Sequence, residues 1–306
     1  MDLTEGVIWK KLILYAGPVV LSSLLQSAYS ITDLIVAGWF IGKDGISAIN
    51  NASQVMMILT QIIMGITTGG NILMGQYFGS KDRSNRVKTN RTMFGFALSA
   101  GALLSVLLFL LSRPILAALR APALEEATAY LQVCSAGLIA IFGYNALAAM
   151  LRSVGNSKQP FYCVAVTAGC NIALDCLFMG GFRWGVRGAA LATVLAQWAS
   201  FVVCLVYVLR HRDLFGLVRR QISFHKDKMV QILKLGIPCA VQMTVAGISW
   251  LTVTYLINRY GVVYSAGGLC GQRDLRRGKG RGSAGNHRPL YCGHHHGGPV
   301  SGCKKV

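Results

Sequence analysis

Residues 11–38 read KLILYAGPVVLSSLLQSAYSITDLIVAG, an apolar stretch with a single carboxylate, Asp33, set inside it. A bilayer core is crossed by roughly 20 apolar residues in an α-helix. A carboxylate at that depth is expensive and by default marks an ion or proton path. Residues 231–258, QILKLGIPCAVQMTVAGISWLTVTYLIN, echo the first stretch, with Pro238 where the first has Pro18. If the later stretch restarts the earlier one, the repeat unit has six helices. An even number leaves both units facing the same way, and parallel repeats of this kind are a transporter architecture.

The rest of the chain reads in the same terms. A mean hydropathy of +0.49 and 53% hydrophobic residues exceed what a water-soluble core of this size needs. Apolar spans are expected at about 12–40, 46–78, 92–111, 127–150, 160–180, 187–209 and 230–258, each near the length that a membrane requires. The first is too long for a signal-peptide core and no small-residue cleavage site follows it, so it is expected as an uncleaved helix. With the N-terminus inside, fifteen Lys and Arg of the short connections fall on the cytoplasmic side: Lys10, Lys11, Lys81, Arg83, Arg86, Lys88, Arg91, Arg152, Lys158, Arg210, Arg212, Arg219, Arg220, Lys226 and Lys228. Only five, Lys43, Arg113, Arg120, Arg183 and Arg187, fall outside, which orients the chain with its N-terminus in the cytoplasm. The net charge of +19 therefore reflects topology, and nucleic acid is not expected as a partner.

The fold class that follows is all-α integral membrane: a six-helix N-terminal bundle and a seventh transmembrane helix, a parallel-repeat transporter truncated in its second half. The expected organisation is a bundle at 1–210, a cytoplasmic inter-bundle loop at 211–229, and the first helix of a second bundle at 230–266. Apolar periodicity then stops. Residues 267–306 form a basic tail rich in Gly and His, expected to be disordered or out of frame. Cys292, His294, His295, His296 and Cys303 lie there, but irregular spacing without a scaffold does not make a metal site. No CxxC, Ser-His-Asp spacing, GxxxxGK[ST] or HExxH occurs, so neither redox chemistry nor an enzyme is indicated.

Asp33, Asp175 and Thr193 lie about seven, five and six residues from the outer ends of their spans, roughly 7 to 10 Å deep. They share a layer. Asn171 and Asp175 are i and i+4 and project from one helical face. Two carboxylates, an amide and a hydroxyl at one depth can hold a hard cation through oxygens, or trap a proton where desolvation and a like charge disfavour two ionised carboxylates. Trp39 and Trp184 are expected at the outer interface as anchors. Met56, Met57, Met64 and Met74 run along the second span, where flexible thioethers suit either packing or a cavity for varied ligands.

The segments LRSVGNSKQP (151–160), NIALDCLF (171–178) and WGVRGAALATVLAQ (184–197) resemble the first half of multidrug and toxic compound extrusion (MATE) transporters, as do QSAYSITDLIVAG (26–38) and ILMGQYFGSKD (72–82). They stand in the family's order over residues 10–265, about half of a typical twelve-helix member. The resemblance implies multidrug efflux by cation-coupled antiport across a bacterial-type plasma membrane. Na⁺ or H⁺ would enter as a small organic cation or amphipathic drug leaves, with the lipid bilayer as surroundings and no bound cofactor. It implies coupling residues at Asp33, Asn171, Asp175 and Thr193, with a further polar cavity position near Asn145. Asn156 stands where many members carry aspartate. Pro18, which frees a carbonyl inside the first helix, is a candidate hinge. The alternatives are a flippase for lipid-linked oligosaccharides of the same superfamily, which would be expected to line its cavity with Arg and Lys, and a non-transporting membrane fragment. Intramembrane charges before residue 260 are acidic apart from bases at helix ends, which favours a cationic substrate.

Overall fold

The computed structural model describes residues 8–278, apart from 120, 122, 212–214 and 216–223. Each apolar run becomes a helix and each cluster of turn residues ends one. The elements are α1 (Ile8–Phe40), α2 (Gly42–Gly79), α3 (Arg83–Ala118), α4 (Leu124–Ser135), α5 (Leu138–Ser153), α6 (Lys158–Asp175) with a π-helical turn at Cys176–Gly181, α7 (Gly185–Arg210) and α8 (Lys226–Gly278). The chain divides into two compact units, 1–258 and 259–306, and the packing described below is that of the first.

Among the described residues six helices are long and apolar enough to cross a membrane, or seven if the α4–α5 pair, bent by 49°, is one span. Each of the seven expected stretches is helical, and the all-α membrane fold is borne out. The fourth departs from expectation because it is broken rather than continuous. Ser135 turns its hydroxyl back onto the Gln132 carbonyl at 2.6 Å, and Gly137 follows two residues on. Such a Ser/Gly junction is a recognised cause of kinks. A side chain at Gly137 would press on Val194 of α7, so α7 packs closely at the break.

Connections are short and locally determined. Asp82 caps α3 by accepting from the Asn85 N–H at 3.0 Å, and two backbone bonds at 3.0 Å close α5, from Asn156 N–H to Leu151 O and from Gly155 N–H to Arg152 O. The latter pair is a Schellman cap, and Gly155 takes the left-handed conformation it needs, with φ of 78°. The LRSVGNSKQP segment therefore reverses the chain between α5 and α6.

α5 lies at the centre, with residues 145–151 all buried between α2, α3 and α7. The outside is apolar: Leu103, Val106 and Leu110 on α3 and Leu24 on α1 are 60 to 67% exposed, as a lipid-facing surface requires. Trp184 stacks with Phe178 and Phe182 at centroid distances of 5.3 Å in the turn before α7, and both Trp39 and Trp184 are exposed.

α8 crosses α2 backbone against backbone. A Cβ at Gly65 or Gly69 would collide with Ala240 or Gly236, and one at Gly236 with Ile66. These are small-xxx-small spacings on both helices, the pattern by which membrane helices approach most closely. Lys228 at the start of α8 donates to the Tyr77 hydroxyl at 2.9 Å, and that hydroxyl donates to Gln231 Oε1 at 3.0 Å. α8 runs on through 267–278. Residues 279–306, including Cys292, His294, His295, His296 and Cys303, lie outside the described residues.

Candidate functional site

Asp33 comes from α1 and Asp175 from the last residue of α6, yet the two carboxyl groups meet side chain to side chain. Asp175 has no exposed surface and Asn171 has 1%. Neither carboxylate oxygen of Asp175, neither polar atom of Asn171, nor Oδ1 of Asp33 has a hydrogen-bond partner. Ionised carboxylates only accept. The Asp33–Asp175 contact is therefore a hydrogen bond only when one of the two holds a proton, and otherwise a pair of like charges that a cation between them would offset. Four orphaned oxygens, from Asp33, Asp175 and Asn171, form a donor set suited to a small hard cation.

The local sequence explains the placement. Asp175 is followed by a π-helical turn, a rare geometry that often accompanies function. On α1, hydroxyls bond back along the helix: Ser22 to Pro18 O at 2.7 Å, Ser27 to Ser23 O at 3.1 Å, Ser30 to Gln26 O at 2.9 Å and Thr32 to Ala28 O at 3.0 Å. Such bonds satisfy hydroxyls in an apolar medium and soften the helix.

Thr193 bonds within its own helix and faces Tyr130. Its hydroxyl bonds Ala189 O at 3.0 Å and lies within interaction range of Tyr130, which also reaches Ser53. Tyr130, 3% exposed, and Cys134 both lie close enough to Asp33 to feel its charge. Tyr130, Cys134 and Ser53 are the residues that sequence reasoning missed. Nothing in ATAYLQVCS separates a functional tyrosine from a packing one, so only the fold reveals them.

Beside this cluster lies a cavity of about 410 Å³, walled by α1, α2, α4, α5, α6 and α7. Thr193 and Asn145 line it, whereas Asp33, Asn171 and Asp175 do not. Asn145, bonded to Ile141 O at 2.8 Å, belongs to the cavity and not to the acid pair. Met56, Met57 and Met64 face the cavity, while Met74 is fully buried in packing. Ser22, Gln26 and Tyr29 line it from α1, a polar stripe at i, i+4 and i+7 that was legible in SSLLQSAY. Arg152, read from sequence only as a loop base, also faces it. Pro18 stands inside α1 and borders a separate apolar groove between α1 and α6. Among the described residues no group of three or more His, Cys, Asp or Glu could hold a metal ion.

Residues 18–177, just over half of the chain, match the MatE family. The chain belongs to the MatE family. It is similar to the probable multidrug resistance protein YoeA of Bacillus subtilis, with 29% identity over 263 residues that cover 83% of this chain and 57% of that protein. It is also similar to the multidrug export protein MepA of Staphylococcus aureus, with 23% identity over 263 residues, 84% of this chain and 57% of MepA. Among solved structures, an outward-facing multidrug resistance MATE transporter superposes with a TM-score of 0.71 at 22% identity, over 76% of this chain and 52% of that one. An inward-facing one superposes with a TM-score of 0.69 at 21% identity, over 79% and 56%. The two access states match almost equally, so the likeness carries the fold and not a state. This MatE chain spans a little over half the length of the curated relatives it matches. The resemblance read from LRSVGNSKQP and its companions is borne out: the protein is a multi-pass membrane protein of a family of transporters rather than enzymes.

Proposed function

We infer that this chain provides the ion-coupling bundle of a multidrug exporter, in which Na⁺ or H⁺ enters at Asp33 and Asp175 as an amphipathic compound leaves. The observation that carries this reading is the meeting of two carboxyls from different helices beside a cavity of about 410 Å³. An empty acid pair is a buried like-charge contact. A proton or small cation converts it into a bond, so ion binding draws α1 toward α6. α1 contributes both Asp33 and the Ser22–Gln26–Tyr29 stripe of the cavity, so the same movement reshapes the substrate wall. Pro18 supplies the bend, since its missing N–H leaves the helix one bond short at that level. Asn171 and Thr193 act around the pair, the first through its orphaned amide, the second through Tyr130.

The domain reading belongs to the same proposal: a bundle at 1–210, a cytoplasmic connection at 211–229 and the start of a second bundle at 230–266, with the N-terminus inside as the loop bases favour. Alternating access uses two opposed bundles. We therefore expect the 306 residues by themselves to bind the coupling ion without exporting drug.

The test is dye efflux from cells carrying a version extended to two bundles. Asp33→Asn is expected to abolish efflux while the amount inserted in the membrane stays the same. Undiminished efflux would remove Asp33 from the mechanism.

A further inference from the structure

The cavity wall is neutral apart from one side chain. Among the described residues that line it, Arg152 alone is charged, and no Asp or Glu accompanies it. The acid pair that suggested a cationic substrate lies behind the wall, so it says nothing about what the wall itself selects.

Arg152 stands in the last turn of α5, where helix carbonyls favour a cation. That end is already satisfied, however. Gly155 N–H bonds Arg152 O, Asn156 N–H bonds Leu151 O, and the Tyr15 hydroxyl donates to Arg152 O at 3.1 Å. The guanidinium also lacks a carboxylate: the ion pairs among the described residues are Arg113–Glu125 and Lys228–Asp227. It is half-buried, near the rings of Tyr15 and Tyr144.

α5 sets the geometry. Ile141, Asn145 and Arg152 all line the cavity, so it follows this helix for about 16 Å. Tyr130 and Thr193, which lead to the acid pair, are at the α4 end, and Arg152 is at the other. Between them the wall offers Val19, Met56, Met64 and Val164. A planar fork of five N–H donors at the end of a largely neutral, partly apolar slot fits an oxyanion better than any other group.

We propose that Arg152 forms an anion subsite at the end of the cavity away from the acid pair, so that the preferred substrate carries a carboxylate, sulfonate or phosphate beside an apolar body. This rests on the reading of the cavity as the substrate site. The arrangement separates two electrostatic tasks by most of the cavity's length: the acids take the coupling ion, and the guanidinium takes the charged end of the cargo.

The test compares two fluorescent probes that differ only in charge, dansylglycine and its methyl ester, binding to the purified 306-residue chain in neutral detergent micelles, with empty micelles subtracted. The acid is expected to bind about tenfold more tightly than the ester, the size of one charge-assisted hydrogen bond. R152Q should bring the ratio to about one, and R152K, which keeps the charge but loses the fork, to roughly threefold. Equal affinities in the unaltered chain overturn the subsite, as does an unchanged ratio in R152Q. Should R152Q fail to fold, an unchanged ratio in R152K overturns it instead. Binding of both probes without preference leaves the substrate cavity standing and removes only the anion subsite. Binding of neither removes both.

Discussion

α1 and α6 each give one carboxylate to the same contact, but the protein holds them very differently. Across its apolar window α1 is 6% buried, whereas the window of α6 and its π-helical turn is 39% buried. α1 is interrupted by Pro18, carries hydroxyls turned back on its own backbone and shows Val20, Leu21, Leu24, Ile31 and Ile35 to its surroundings. α6 packs against α7 and α1, and its Asp175 is sealed. The acid pair thus joins a thinly packed helix to a closely packed one.

The largest expected effect breaks this comparison if it fails. Phe178→Ala, in the turn after Asp175, removes a side chain 9% exposed and stacked on Trp184, and is expected to destabilise the chain by about 3–5 kcal/mol. Leu24→Ala on α1, at 61% exposure, is expected to stay within about 0.5 kcal/mol. Thermal unfolding in detergent measures both, and similar costs would erase the distinction between the helices.

A smaller effect sharpens it. Asp175→Asn removes one of two like charges from a sealed site and leaves an amide that can donate to Asp33. Stability at neutral pH is expected to rise by about 1–2 kcal/mol while ion binding is lost, a trade between stability and function. A fall in the unfolding temperature would mean that Asp175 is held by a partner and not opposed by one.

The smallest concerns the thinly packed member. Pro18→Ala restores an N–H and its bond to the preceding turn, so amide exchange along that part of α1 should slow by about tenfold. Hydrogen exchange with mass spectrometry resolves this, and unchanged exchange would place the looseness of α1 in its thin packing rather than in the proline.

Much of this was readable in the residues. Seven apolar runs gave seven spans because hydrocarbon allows few alternatives to a helix. Asp33 and Asp175 could be paired in advance because both lie a similar rise from the same membrane face. The Ser135–Gly137 break was invisible because its neighbours are as apolar as a straight helix, and the close packing of α7 against Gly137 appears only in the fold. The depth of Thr193 along its span says nothing of azimuth, so its place beside Tyr130 needed the fold. Arg152 was misplaced for a related reason. A basic residue at a helix end counts toward topology, and only packing tells whether its head turns to water or into the slot.

The crossing of α2 and α8 at Gly65, Gly69, Gly236 and Ala240 carries a consequence for ancestry. Two backbones that touch with no side chain between them demand only smallness of each other, so the seam imposes almost no chemical dialect on the sequences that share it. The two helices can drift at every other position while four tiny residues keep them fitting together.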